Sequence, residues 1–265
     1  DAEKIEQLIT DKTKAIVPVH YAGISCDMDK LMQLANKYNL YVVEDAAHSV
    51  DSTYNDQPLG GIGHLGVFSF HETKNLNCGE GGLLIINDEK FINRAQVIWE
   101  KGTNRLDFHK GVINKYEWID IGSSFSPSEI TAAFLYAQIQ NFQSIQKKRI
   151  WIWNYYNENL SFLRDRVEFP IIPSYASING HIFFLVLNDV NERNSFLEHM
   201  RKCGILSVFH YQSLHNSPFY KIKHGARELI NADKFSNQLI RLPLYYELTE
   251  KELEYIVNSI KEFYL

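Results

Sequence analysis

A chain of 265 residues is long enough for one large domain, or for a large domain and a small one. Apolar residues make up 45% and charged residues 22%, an ordinary globular balance. A net charge of −5 argues against a general nucleic-acid binder, and no apolar run approaches the roughly 20 residues that would span a bilayer. The three cysteines, Cys26, Cys78 and Cys203, are widely separated and form no CxxC pair, so they read as reduced thiols of a cytoplasmic protein, and no metal site is expected.

In chain order, residues 15–19 (AIVPV) read as a short buried strand. Asp27 can cap a helix from Met28 to Tyr38, with Leu31, Leu34, Ala35 and Tyr38 at helical spacing. Residues 40–44 (LYVVE) form the next strand, so the opening is β-α-β, a parallel pair with a right-handed crossover. Residues 65–70 and 83–86 are two more runs of strand length, and a helix follows from about Asp88 to Trp99. Residues 101–127 are rich in Gly, Ser, Asn and aromatics without steady periodicity, and a loop of that length is usually functional. Ser128 caps a long helical pattern through Ile130, Ala133, Phe134, Ala137, Ile139 and Phe142 that can run on to Tyr156. Beyond Pro170 and Pro173 come a strand (181–187), a helix (191–203), a strand (205–209) and a final helix (249–263). This pattern predicts an α/β protein. Its larger domain, residues 1–150, has a mixed, mostly parallel sheet with helices on both faces, and its smaller α/β domain covers 151–265.

Two segments carry chemistry. The first is Ser69-Phe-His-Glu-Thr-Lys74-Asn-Leu-Asn-Cys-Gly79-Glu80-Gly81-Gly82, between two apolar runs. Desolvating a lysine is costly, and the same desolvation turns the free amine into a nucleophile toward an aldehyde. The second is Glu44-Asp45-Ala-Ala-His48-Ser49 at the C-terminal end of a strand, the edge where open α/β sheets bind ligands. Asp45 there can pair with a protonated ring nitrogen, which is what keeps the ring of pyridoxal phosphate (PLP) an electron sink. His48 can hydrogen-bond the 3′ oxygen of the cofactor or stack on its ring. Taken singly, Lys74 also reads as a surface-turn lysine, Asp45 as a helix N-cap or metal ligand, and His48 as a structural histidine. In this order and spacing the set points to a PLP site, with the Ser69 hydroxyl as a phosphate anchor.

The motifs EDAAHS (44–49), FSFHETKN (68–75), GEGG (79–82), KGTNR (101–105), and DIGSS (120–124) with SEITAA (128–133), resemble the sugar aminotransferase family of the DegT/DnrJ/StrS type. The likeness runs from about residue 8 to residue 263. It implies a fold-type-I PLP-dependent transferase, a homodimer with shared active sites. Its substrates would be a sugar nucleotide and an amino-acid donor, with neither nucleic acid nor membrane as partner. By the same resemblance Lys74 matches the lysine that links to the cofactor, and Asp45 the carboxylate facing the pyridine nitrogen. His48 sits beside the ring, and Ser69 matches the phosphate-binding serine. Ser124 stands where many members place an Asn that reaches the neighbouring subunit's cofactor phosphate. Lys101, Asn104 and Arg105 are candidates for the sugar-nucleotide phosphates, since Arg and Lys suit dianionic pyrophosphate. His210 and Tyr211 are candidates for the sugar-nucleotide site. VPVHYAG (17–23), SCDMD (25–29) and RLPLYYELT (241–249) point further to the branch that aminates C4 of a TDP-linked 4-keto-6-deoxy sugar, with glutamate as donor. A related enzyme acting at C3 and a catalytically silent, dimer-forming module are the alternatives. The dehydratase branch carries His in place of the lysine, and Lys74 argues against it. Family members begin earlier than Asp1, on a segment that carries the phosphate-cradling loop. The expectation is therefore that residues 1–265 alone expose an apolar face beside the sheet and bind PLP weakly.

Overall fold

The computed structural model describes residues 1–264. It divides into two compact units, Asp1–Gln143 with Pro173–Asn179, and Ser144–Ile172 with Gly180 onward. In the first unit, β1 (Ala15–Ile16) leads through α1 (Met28–Tyr38) to β2 (Tyr41–Asp45). Asp27 caps α1 as its sequence predicts, its Oδ1 accepting the Lys30 amide at 3.2 Å. Asn39 ends the helix in the left-handed region at φ 51°, with its amide on the Ala35 and Asn36 carbonyls. The helix lays Met28, Leu31 and Ala35 on a core of Ile16, Leu40, Val42 and Leu59. Each buried Met or Leu side chain contributes about 1.5–3 kcal/mol. A short hairpin, β3 (Thr53–Tyr54) and β4 (Gln57–Pro58), precedes β5 (Leu65–Ser69) and β6 (Gly82–Ile86). The sheet order is β1-β2-β5-β6, parallel as far as β5 and antiparallel at β6. Beside it Val17, Val19, Leu83 and Leu84 are exposed.

The strand expected over 15–19 is regular only at Ala15–Ile16, because Pro18 has no amide to donate. Its carbonyl still accepts the Asp45 amide at 2.8 Å and Val19 bridges Asp45, so the segment keeps its place beside β2. α2 (Ile92–Trp99) starts later than its periodicity suggests, after a 3₁₀ turn at Glu89–Phe91 capped by Asp88. The stretch 101–127 contains α3 (Arg105–His109), which the sequence pattern leaves as loop. It folds back on Gly102, whose carbonyl accepts the amides of Ile119 (2.8 Å) and Asp120 (3.0 Å). A Cβ at Gly102, where φ is +74°, would lie 1.8 Å from the Asp120 carbonyl oxygen, so only glycine fits. The single long helix expected after Ser128 is two, α4 (Glu129–Gln140) and α5 (Phe142–Asn159). Asn141 interrupts it by donating its side-chain amide to the Ala137 carbonyl at 2.9 Å, a local bond that competes with the helical one.

The second unit contains β7 (Phe183–Val186), α6 (Val190–Lys202), β8 (Val208–Phe209), α7 (Pro218–His224), α8 (Ile230–Gln238), β9 (Leu239–Leu242) and α9 (Glu250–Tyr264). Its strands form an antiparallel sheet in the order β7-β9-β8. Trp153 and Tyr156 of α5 pack their rings on Phe183, and the Tyr156 hydroxyl donates to the Pro243 carbonyl at 2.8 Å. Arg149 is buried and donates to the carbonyls of Gly180 (3.1 Å) and His181 (2.6 Å), and that burial pushes its guanidinium down to about 10. His199, Cys203 and Glu262 bring potential ligand atoms within 4.8 Å of one another. The Nε2 of His199, however, donates to the Ser259 carbonyl at 2.8 Å and so serves to join α6 to α9. Among the described residues no helix is long and apolar enough to cross a membrane.

One buried group sets the orientation of β2. Glu44 and His20 are both fully buried, with His20 Nε2 3.0 Å from Glu44 Oε2. His20 Nδ1 accepts the Cys26 amide at 3.1 Å, which places the ring proton on Nε2, toward the carboxylate. Three backbone amides of the loop before β5 complete the shell: Gly60 at 2.8 Å, Ile62 at 2.7 Å and Gly63 at 2.6 Å. Burial by itself would raise the Glu44 carboxyl. The donors from His20, Gly63, Gly60 and Ile62 outweigh it and hold the group below its ordinary value of 4.5. A depressed folded value means that this stabilisation is complete above pH 4.5 and drains away as pH falls through the folded value. Glu44→Gln, which loses the charge and turns an amide toward these donors, is expected to cost about 3 kcal/mol at neutral pH and to flatten the acid limb of the stability curve. Urea unfolding at several pH values reads both, and equal midpoints for parent and variant at neutral pH would contradict it.

Candidate active site

β2 ends on Asp45 and β5 on Ser69, two parallel strands that deliver their carboxyl ends to one edge of the sheet. Asp45 is in register with Val67, and side chains alternate along a strand, so Asp45, Val67 and Ser69 share one face while Glu44 takes the other. Both Asp45 and Ser69 are half-buried. Asp45 Oδ1 accepts the Ala47 amide at 3.1 Å, which turns the chain away from the sheet and leads it to His48. Ser69 Oγ accepts the His71 amide at 3.3 Å and opens the turn that carries Lys74.

That turn is strapped across its base. The Phe70 amide donates to the Gly81 carbonyl (2.8 Å), Glu72 to Gly79 (2.9 Å) and Cys78 to Phe70 (2.8 Å). Within it the Lys74 amide donates to His71 at 2.9 Å, and the side chain is half-buried. His48 is oriented by its neighbours: Nδ1 accepts the Ala22 amide at 3.2 Å, so the proton of the neutral ring sits on Nε2. The Tyr21 ring lies 5.6 Å away, tilted by 59°.

Lys101, Asn104 and Arg105 stand together on the turn around Gly102. Lys101 is exposed with φ 62°. Asn104 Oδ1 accepts the Glu117 amide at 2.7 Å, and Arg105 Nη1 lies 3.5 Å from Glu100. Ser124 is exposed and bridges Glu100. His210 and Tyr211 belong to the second unit, on the segment after β8, with their rings 5.1 Å apart. The fold thus gathers Asp45, Ser69 and the Lys74 turn at one sheet edge, with His48 just beyond β2, and sets Lys101, Asn104 and Arg105 on a separate turn.

Sequence reasoning missed several supporting groups. Glu44 and His20 are one pair; the run Gly60-Gly-Ile-Gly63, which offers converging amides, was the available signal. Asn75 and Asn179 are another pair, joined across 104 residues, and nothing in the local sequence announces it.

The model of the DegT/DnrJ/EryC1/StrS aminotransferase family matches residues 1–261. The uncharacterized protein MJ1066 of Methanocaldococcus jannaschii is 33% identical over 272 residues, covering 99% of this chain and 70% of that protein. Helicobacter pylori PseC, an aminotransferase involved in the biosynthesis of pseudoaminic acid, superposes with a TM-score of 0.90 at 26% identity, over 99% of this chain and 70% of its own. Spr1654 of Streptococcus pneumoniae superposes in its PLP form (TM-score 0.87, 28% identity) and its PMP form (0.88, 27%), over 99% of this chain and 71% and 72% of its own. With a family match across nearly its whole length and a relative of this identity, the chain belongs to the DegT/DnrJ/EryC1/StrS aminotransferase family.

Proposed function

We propose that this protein moves an amino group from glutamate to the 4-keto carbon of a TDP-linked 6-deoxy sugar, the reaction of the TDP-4-keto-6-deoxyglucose 4-aminotransferase of enterobacterial common antigen synthesis. The observation that carries the reading is the placement of Asp45 and Ser69 on one face of adjacent parallel strands, with Lys74 on the turn that follows directly. The amine, carboxylate, hydroxyl and imidazole of this set fit PLP, the cofactor of this sugar aminotransferase class. When bound, PLP supplies an aldehyde and an electron-accepting ring that take up an amino group and pass it on.

The residues of this chain do the rest. Lys74 holds the cofactor through its amine and, when released, moves the proton between the donor's α-carbon and C4′ of the cofactor. Asp45 keeps the pyridine nitrogen protonated. His48 presents the N–H of Nε2, the nitrogen left as donor by the Ala22 bond. Ser69 contributes its hydroxyl to the phosphate, and Ser124 does so for the cofactor of a neighbouring subunit. Lys101, Asn104 and Arg105 hold the sugar-nucleotide phosphates, and His210 and Tyr211 contact substrate. The motif pattern of 17–29 and 241–249 supports the 4-keto branch.

The same reading makes the protein a homodimer. Its support is the apolar surface on the loop before α4 and on α4 itself, where Trp118 is 79% and Ile130 84% exposed. Sedimentation of the full-length protein at micromolar concentration is expected to give a dimer, and a monomer would rule this out. Incubated with PLP, glutamate and TDP-4-keto-6-deoxyglucose, the full-length protein is expected to yield a product whose NMR spectrum places the amine at C4. An amine at C3 would move it to a neighbouring branch, and no amine would leave a silent module. In the same assay Asp45→Asn is expected to slow turnover by at least ~10²-fold, and equal rates would show that Asp45 does not hold the ring nitrogen protonated.

A further inference from the structure

The loop carrying His48 and the turn carrying Lys74 come from different strands, and one residue from far along the sequence holds both, the first by its side chain and the second by its main-chain carbonyl. Pro173–Asn179 returns to pack with the first unit. It is stitched along β3: the Ser177 amide donates to the Thr53 carbonyl (3.1 Å), the Thr53 amide to Ser177 Oγ (2.7 Å) and the Asn55 amide to the Tyr175 carbonyl (2.7 Å). The segment ends on Asn179, which is fully buried. Asn179 Nδ2 donates to the carbonyls of His48 (2.7 Å) and Val50 (2.9 Å), so one amide group fastens the His48 loop at two points. The Asn179 carbonyl in turn accepts Asn75 Nδ2 at 2.9 Å, and Asn75 is the residue after Lys74.

The seat for Asn179 is built by the turn that also holds the His48 ring. Gly23 has φ +79°, and a Cβ there would lie 2.2 Å from Asn179 Oδ1. Its neighbour Ala22 donates to His48 Nδ1. His48 is therefore fixed at its ring by Ala22 and at its carbonyl by Asn179, while Asn179 also anchors the Lys74 turn.

We propose that Asn179 is a positioning residue, acting with Asn75 to fix the His48 loop relative to the Lys74 turn. This role rests on the proposed roles of Lys74 and His48 at the cofactor. Asn179→Asp keeps the shape but sets a carboxylate oxygen against two carbonyls, and Asn75→Ala releases only the Lys74 turn.

The test is made on full-length protein. Three quantities are read: PLP affinity by absorbance titration, amide hydrogen exchange without PLP, and the pH midpoint of the visible absorption band with PLP bound. Asn179→Asp is expected to weaken PLP binding by about tenfold or more, equivalent to 1.4 kcal/mol, to speed exchange at the Ser49 and Ser52 amides, and to shift the pH midpoint. Asn75→Ala is expected to weaken PLP binding as well, with faster exchange at Glu72 and Cys78 but not at Ser49. It carries the test if Asn179→Asp does not fold. Folded variants that match the parent in PLP affinity and pH midpoint overturn the positioning role alone. A parent whose PLP band is no different from that of Lys74→Ala overturns the reading of the site, and the positioning role with it.

Discussion

Glu44 is fully buried among hydrogen-bond donors, and a strand sends successive side chains to opposite faces, so Asp45 must stand on the face that Glu44 does not occupy. Burying a carboxylate costs several kcal/mol unless its oxygens are satisfied. Here the loop between β4 and β5 offers three amides and His20 a fourth donor. The pair therefore does more than stabilise. It prevents β2 from slipping by one residue, a slip that would bury Asp45 among amides meant for Glu44. The role proposed for Asp45 depends on this: its neighbour is fully occupied on the other face.

The rest of the site follows from how the sheet is wound. Parallel β1, β2 and β5 bring their carboxyl ends to one edge, and the antiparallel return of β6 makes the connection after Ser69 a strapped turn instead of a crossover helix. The turn holds Lys74 close to the strand end, where the proposal has it hold the cofactor and move a proton. The turn and the loop after β2 are irregular connections, partly buried through Ala46, Ser49, Asn75 and Leu76. Buried Asn179 supplies the tie between them, its side-chain amide on the His48 carbonyl and its main-chain carbonyl on the Asn75 amide.

Much of this was legible in the sequence. The helix Met28–Tyr38 follows from Asp27 and the spacing of Leu31 and Ala35, and it forms over those residues. The apolar runs marked the strands of the sheet, and the order of Asp45, Ser69 and Lys74 pointed to the chemistry. What was not legible depends on single bonds or on distant chain. The break at Asn141 is one side-chain amide competing with a helical bond. The strand β9 is four residues beside Pro243, too short for its alternation to stand out. α7 and α8 lie in a polar stretch with little periodic contrast, where tertiary packing outweighs local preference. Asn179 reaches His48 across 131 residues, a separation that no local pattern encodes.

The proposed chemistry turns on Lys74 as the residue joined to the cofactor. Full-length protein loaded with PLP and reduced with borohydride fixes the cofactor to the lysine that holds it, and peptide mass mapping then identifies that residue. A single modified peptide is expected, with the label on Lys74. A label on another lysine, or a protein that takes up no label after reduction, would contradict that role.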